Sequence, residues 1–274
     1  MAALSSIAKG AARSGAAGGS LPYLDKCLDF RPLSIPQQQA LALRDELAAC
    51  HEQAGNLYRR QRLLGCGQPV PGGMDTWTYQ CGLGECPLCF RRRAYRKAAQ
   101  AARMDKELQG GEFTSQMLTV SVADTEAGGI AARYAELSEG CSRLYRSKIY
   151  ARHVEGAARG IEIGMADTGL FHTHLHQLLI FRETALPEEI LPLVQRCFPQ
   201  GLLYLSEPLN GICLARFVGY VLKLPKDVSA VEWLTIRQIM QGKIPLTFSG
   251  ILKKVRKMQR KSRKSAFPQK EILQ

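Results

Sequence analysis

Three of the chain's five histidines lie within "FHTHLHQLLIF" (171–181), each two residues from the next. Side chains alternate between faces along a strand, so in an extended run His172, His174 and His176 point the same way. Leu178 and Ile180 continue that face, while Phe171, Thr173, Leu175, Leu179 and Phe181 supply most of the other. The second half of the run is almost wholly apolar, as in a strand buried on both faces. Burial disfavours charged imidazole and leaves ring nitrogens needing partners, so these histidines are either paired to neighbouring groups or hold a metal. Three on one face favour the metal, with His174 and His176 deepest and His172 nearer the preceding turn. If that turn is the three-residue loop 167–169, Ala166 pairs with Leu170 and Glu162 falls opposite His174 on the same face. Gly164 and Gly160 then lie beside His172 and His176, leaving room over the rings. A two-residue loop would turn Glu162 to the other face. Two imidazoles, a carboxylate and open positions suit a divalent cation that polarises a phosphate. Mg²⁺ prefers oxygen, so Mn²⁺ should also serve.

A second cluster is built from sulfur. Cys81, Cys86 and Cys89 lie in "CGLGECPLC", and Cys66 is fifteen residues upstream of the first. The Cys86–Cys89 spacing lets two thiolates from one turn reach one tetrahedral ion, with Cys81 and Cys66 completing a closed four-sulfur set. The expectation is a structural Zn²⁺ in a small, zinc-ribbon-like module, with Cys50 or His51 as substitutes for Cys66. Redox-active thiols are the alternative. The remaining cysteines are scattered and read as ordinary small residues.

A third candidate is a tyrosine. In "CLARFVGYVLKLPKD" (213–227), Leu214, Phe217, Val218, Val221 and Leu222 form a core-facing side of a helix. Arg216, Tyr220 and Lys223 stand at i, i+4 and i+7 on the other. A phenol between two cations has its phenolate stabilised, which a nucleophile at phosphorus requires. Taken singly, a tyrosine on an amphipathic helix more often just reaches water.

The elements that must carry these groups follow from pattern. Helices are expected over 36–64, 90–108, 130–149, 187–198 and 211–224, with Pro192 interrupting the fourth or sitting in its first turn. Strands are expected over 113–124 and 201–207, and two more within 153–181. That order indicates an α+β fold with a central antiparallel sheet and flanking helices. A 274-residue chain with 46% hydrophobic residues has ample material for a core. A net charge of +13 is too lopsided for an enzyme of small neutral substrates and implies an anionic polymer or surface as partner. "KKVRKMQRKSRK" (253–264) holds eight Lys or Arg in twelve residues, and "FRRRAYRKAAQAAR" (90–103) is also basic. Together they favour nucleic acid, with Arg91, Arg92, Arg93, Arg216, Lys253, Lys254, Arg256 and Lys257 as candidate phosphate contacts. A solvated tail is the bland alternative for the first run. No long apolar stretch reads as a membrane span. An odd nine cysteines, four of them clustered, favour metal binding in a reducing compartment over a disulfide framework, and the cytoplasm is the default. Residues 1–20 read as a flexible tail. A helix and cysteine module with a basic helix is expected over 21–108, a sheet domain carrying the histidines and the tyrosine over 109–250 and a basic tail over 251–274.

The order of these parts resembles the HUH endonucleases, and within them the plasmid rolling-circle replication initiators of Gram-positive type. "QMLTVSV" (116–122) matches their first motif, "GLFHTHLHQLL" (169–179) the second and "GYVLK" (219–223) the third. "CGLGECPLCFRRRA" (81–94) is similar to their cysteine-rich segment, and "RGIEI" (159–163) to the strand leading into the second motif. The resemblance spans roughly residues 58–227 and implies a ferredoxin- or RRM-like palm whose sheet holds the metal-binding histidines, with the tyrosine helix beside it. It further implies a strand transferase that nicks single-stranded origin DNA. His174 and His176 would be metal ligands, Tyr220 the nucleophile and Lys223 its helper, giving a 5′-phosphotyrosyl link and a free 3′-hydroxyl. Host helicase and DNA polymerase are the implied partners, with room for a homodimer, in a bacterial cytoplasm. Relatives with one tyrosine often carry an acid about a turn before it, where this chain has Arg216. Termination would then fall to Glu207, Asp227 or a second subunit. A relaxase or single-strand transposase shares the chemistry. A zinc-dependent DNA-binding regulator with structural histidines is the non-enzymatic alternative.

Overall fold

The computed structural model describes residues 37–70, 78–109, 111–184, 186–225 and 228–266, with side chains as far as Gln259. The expected tail 1–20 and Asp227 lie outside the described residues.

Six strands form one antiparallel sheet: β1 (Thr114–Ser121), β2 (Gly156–Met165), β3 (Phe171–Phe181), β4 (Leu202–Leu205), β5 (Leu209–Asn210) and β6 (Leu246–Ser249). Their spatial order is β4-β1-β3-β2-β6, with β5 pairing with β1. Helices α4 (Ile130–Arg146) and α5 (Lys148–His153) follow β1, and α6 (Ile190–Cys197) follows β3. The first four strands thus trace a split β-α-β-β-α-β motif. The fold class is α+β, as the element order indicates.

Alternation along the strands divides the sheet's two faces. Leu118, Val120, Leu175 and Leu179 pack one face against Leu137, Leu144, Ile190 and Val194 of α4 and α6. Ala158, Leu178 and Ile180 pack the other against α3 (Pro87–Leu108), α7 (Leu214–Val221) and α9 (Gly250–Ala266). Burying each of these larger apolar side chains stabilises the fold by roughly 2 kcal/mol. The β2–β3 hairpin is closed by residues 167–169. Ala166 N–H bonds Leu170 C=O at 2.8 Å, and Gly169 takes φ +77°, where a side chain would be strained. This is the three-residue loop, and the register places Glu162 opposite His174, Gly164 opposite His172 and Gly160 opposite His176.

Several elements differ from expectation. The single helix over 36–64 is two, α1 (Gln37–Gln53) and α2 (Leu57–Gly65). Gly55 at φ +71° ends the first, and the Asn56 side chain accepts from Arg59 N–H to start the second. The helix expected over 130–149 breaks at Ser147, which is extended between α4 and α5. Pro192 sits in the first turn of α6, where no N–H is needed. Helix α8 (Ala230–Ile239) and strand β6 had no counterpart in the sequence expectations. The run expected as a basic tail begins as α9, because Leu252 and Val255 bury one side of it against α3 and the sheet. Among the described residues, no helix is long and apolar enough to cross a membrane.

Candidate active site and cysteine cluster

The register aligns polar side chains in rows across one sheet face. Ser121, His174 and Glu162 occupy one row, and Thr119, His176 and Gly160 the next. Each histidine uses Nδ1 toward β1: His174 to Ser121 Oγ at 2.9 Å, His176 to Thr119 Oγ1 at 3.0 Å. The two rings lie parallel with centroids 5.9 Å apart, and His172 stands edge-on to His174 at 4.8 Å. Gly164 makes the expected room, since a Cβ there would meet His172 Nε2 at 2.3 Å. At Gly160 the space is used differently. A Cβ would meet Val221 Cγ1 at 2.0 Å, so this glycine lets α7 lie down on the sheet.

That seating brings Tyr220 to the histidines, with its ring centroid 5.0 Å from that of His176 in an edge-to-face contact. Lys223 lies beyond the last turn of α7, and its chain folds back so that Nζ is 3.9 Å from the Tyr220 ring centroid. The same Nζ is 3.0 Å from Glu162 Oε1, while Glu162 Oε2 is 3.0 Å from His176 Nε2. One carboxylate therefore joins the tyrosine's lysine to the strand histidine. Burial alone would raise the Glu162 carboxyl, but His176 and Lys223 hold it below its ordinary value. Burial, then the neighbouring His172 and His176, lowers His174, so its imidazole is neutral near pH 7 and free to act as a ligand.

Two imidazoles and a carboxylate have the chemistry for a divalent cation with nitrogen and oxygen tolerance, but among the described residues only the four cysteines gather their ligand atoms around one centre. For His176 to ligate through Nε2, the proton now shared with Glu162 must move. The Thr119 hydroxyl donates or accepts, so Nδ1 stays satisfied in either tautomer. Thr119 and Ser121 are the two partners that residue spacing alone left without a role. Their alternation in "LTVS" was the signal that they face the histidines.

Asp105 was missed altogether. It projects from the last turns of α3 and accepts from Leu214 N–H at 3.0 Å and Ala215 N–H at 2.9 Å, capping α7 from another helix. Cys213, at the cap position itself, makes no side-chain cap bond. Burial pushes the Asp105 carboxyl up to about 6, against the pull of the two N–H groups. Only an acid near the end of an otherwise basic helix marked it in the sequence.

The four cysteines converge at the ends of α2 and α3. The ligand atoms of Cys66, Cys81, Cys86 and Cys89 all lie within 4.8 Å of one another, and all four residues are buried. Cys89 Sγ is 3.6 Å from both Cys66 Sγ and Cys81 Sγ. A tetrahedral ion with sulfur at about 2.3 Å has sulfur–sulfur edges of about 3.8 Å, so the cluster fits zinc. Hydrogen bonds from Cys66, Cys81 and Cys86 pull the Cys89 thiol down, and Cys66, Cys81 and Cys89 push Cys86 up. Four thiolates need a cation to coexist. Neither Cys50 nor His51 joins the set; His51 Nε2 instead faces Glu85 at 3.8 Å. Around the cluster, α2 and α3 flank turn and extended segments that carry, among the described residues, one isolated bridge between Pro69 and Thr78, and Leu224, Ala230 and Trp233 pack onto its core.

The basic candidates divide. Arg92 bonds Tyr79 C=O at 3.2 Å and the Thr78 hydroxyl, and Arg93 bonds Gly84 C=O at 3.2 Å, so both brace the cysteine loop. Arg91 folds over the Tyr95 ring at 4.9 Å. Arg216 is exposed on α7, as are Lys253, Lys254 and Lys257 on α9, while the Arg256 guanidinium lies over Phe248 at 5.4 Å. Glu207 is exposed beyond β4.

Comparison with known proteins bears on the central part. Residues 75–189 match a replication protein family. A curated relative, "Protein rep" of Lentilactobacillus hilgardii, is 27% identical over 138 residues, covering 47% of this chain and 44% of the relative. The chain thus spans less than half of that relative's length. No solved structure matches. The family match takes in Cys81, Cys86, Cys89, Glu162 and the three histidines but ends before α7 and Tyr220.

Proposed function

We propose that the chain initiates rolling-circle replication as an HUH-type endonuclease and strand transferase, nicking single-stranded DNA at a plasmid origin. The observation that carries this is the chain of contacts from His176 through Glu162 to Lys223 and back to the Tyr220 ring. His174, His176 and Glu162 would hold Mg²⁺ or Mn²⁺, with His172 at the margin. Bound there, the ion supplies Lewis-acid polarisation of the scissile phosphate.

Tyr220 Oη attacks phosphorus in line with the leaving 3′-oxygen. The phenolic proton passes to solvent water as the new oxygen–phosphorus bond forms, and the bond from phosphorus to the 3′-oxygen breaks as that oxygen takes a proton from water to become a hydroxyl. The products are a 5′-phosphotyrosyl link and a primer end. Lys223, beside the ring, stabilises the developing phenolate, and Glu162 fixes the lysine in place. One phosphoester replaces another, so the nick can be resealed without a nucleotide cofactor. Host polymerase extends the 3′-hydroxyl while host helicase unwinds ahead, in the bacterial cytoplasm. Cys66, Cys81, Cys86 and Cys89 would hold Zn²⁺, which would staple the module beside α7.

Incubating the protein and Mn²⁺ with a supercoiled plasmid carrying its own replicon tests the proposal. The expected result is nicked DNA with protein attached, lost in Tyr220→Phe while DNA binding persists. Retarded but uncut DNA would mark a regulator, and covalent attachment surviving in Tyr220→Phe would remove the tyrosine from its role.

A further inference from the structure

The rows that carry the histidines continue past β1 onto β4. Thr119 pairs with Tyr204 and Ser121 with Leu202, so both β4 side chains stand on the same sheet face as His176 and His174. Directly opposed residues share a face, and neighbouring strands are about 4.8 Å apart. Tyr204 therefore lies about 10 Å across the sheet from His176, at the end of the row Gly160–His176–Thr119–Tyr204. On the histidine side α7 covers this face; at β4 Tyr204 is 63% and Leu202 79% exposed. Neither side chain makes a hydrogen bond, ion pair or ring contact among the described residues. An exposed aromatic beside an exposed leucine on an otherwise well-packed sheet is a surface prepared for a partner.

We infer that Tyr204, flanked by Leu202, is a stacking platform for an unpaired base of single-stranded DNA, next to the nucleotide whose phosphate meets Tyr220. The inference rests on the proposed nickase reading, and the occupant follows from continuity. A strand whose phosphate meets His174 and His176 beside α7 would leave the covered part of this face over β4, where Tyr204 and Leu202 are exposed. The +13 net charge draws a polyanion without selecting unpaired bases; a flat exposed ring selects for their faces. Tyr204 is thus a binding residue that holds the flanking strand while the phosphodiester sits at the site.

The test is fluorescence anisotropy of labelled oligo(dT) with the full chain in a Tyr220→Phe background without divalent metal, so that no cleavage intervenes. Tyr204→Ala should weaken binding roughly 5- to 100-fold. Tyr204→Trp should keep it, and Leu202→Ala should cost less than Tyr204→Ala. A duplex hairpin should bind all variants alike. Unaltered thermal midpoints keep folding out of the comparison, as expected for an exposed edge-strand side chain. Undiminished oligo(dT) affinity in Tyr204→Ala would overturn the inference. So would a switch from dimer to monomer in Tyr204→Ala by sedimentation, which would give the patch to a second copy of the chain. The nicking assay on wild type and Tyr220→Phe is read separately, so failure of the platform and failure of the nickase reading remain distinct.

Discussion

The two candidate metal sites are built on opposite plans. At the cysteines, four soft ligands from loop and helix ends already lie within 4.8 Å of one another. At the histidines, the ligand atoms are engaged with one another and with the lysine: His176 with Glu162, Glu162 with Lys223. A saturated cage suits an ion that only holds structure. A half-satisfied, rearrangeable set suits one that must make room for a substrate oxygen. The two clusters are carried on one helix–sheet frame, and α3 links them, capped by Cys86 at its start and reaching α7 through Asp105 near its end.

The sharpest break in the comparison is Cys89→Ser. Structural zinc contributes an apparent 10–16 kcal/mol in small zinc modules, roughly, so this variant should lose bound zinc and unfold the region around α1, α2 and Trp233. Zinc content by a colorimetric chelator and a thermal melt read it out; full zinc retention would count against the cage. Ser121→Ala and Thr119→Val should leave the fold intact yet weaken Mn²⁺ binding or nicking roughly 10- to 100-fold, because they orient the imidazoles without touching substrate. A metal titration followed by plasmid nicking decides it.

A smaller effect is expected from Asp105. Its folded pKa of about 6 lies above the ordinary 3.8, so the native chain binds this proton more tightly than the unfolded one. Its stabilising contribution is full below about pH 4 and fades as pH rises through about 6, a change on the order of 3 kcal/mol. Urea midpoints of wild type and Asp105→Asn should therefore differ in their slope over that window, and parallel curves would refute it. The smallest change belongs to α9. Replacing Lys253 and Lys254 with Ala should flatten the salt dependence of DNA binding by about one log unit per lost phosphate contact, with the melting midpoint unmoved.

Much of the site was legible because strand geometry is local. Two-residue spacing put three histidines on one face, and the choice of a three-residue loop then placed Glu162 and two glycines beside them. Cysteine spacing pointed to one tetrahedral centre for the same reason, since a single turn fixes the reach of two thiols. Helix α8 was legible too, but unread: Ser229 and Glu232 form a reciprocal capping box, a signature visible as S-x-x-E ahead of an apolar run. Strand β6, four residues long with no clear alternation, offered no comparable signal.

What the chain's sequence determined by itself was the set of side chains each element would offer, because periods of 2 and 3.6 residues act over a few neighbours. Only tertiary structure decided which sets meet. The bond from Asp105 to Leu214 spans 109 residues, the fold-back of Lys223 depends on where α7 ends, and the row from His176 to Tyr204 exists only because β4 pairs with β1. Those contacts arise when long-range burial of apolar faces brings distant segments together, and no local rule of spacing encodes that choice.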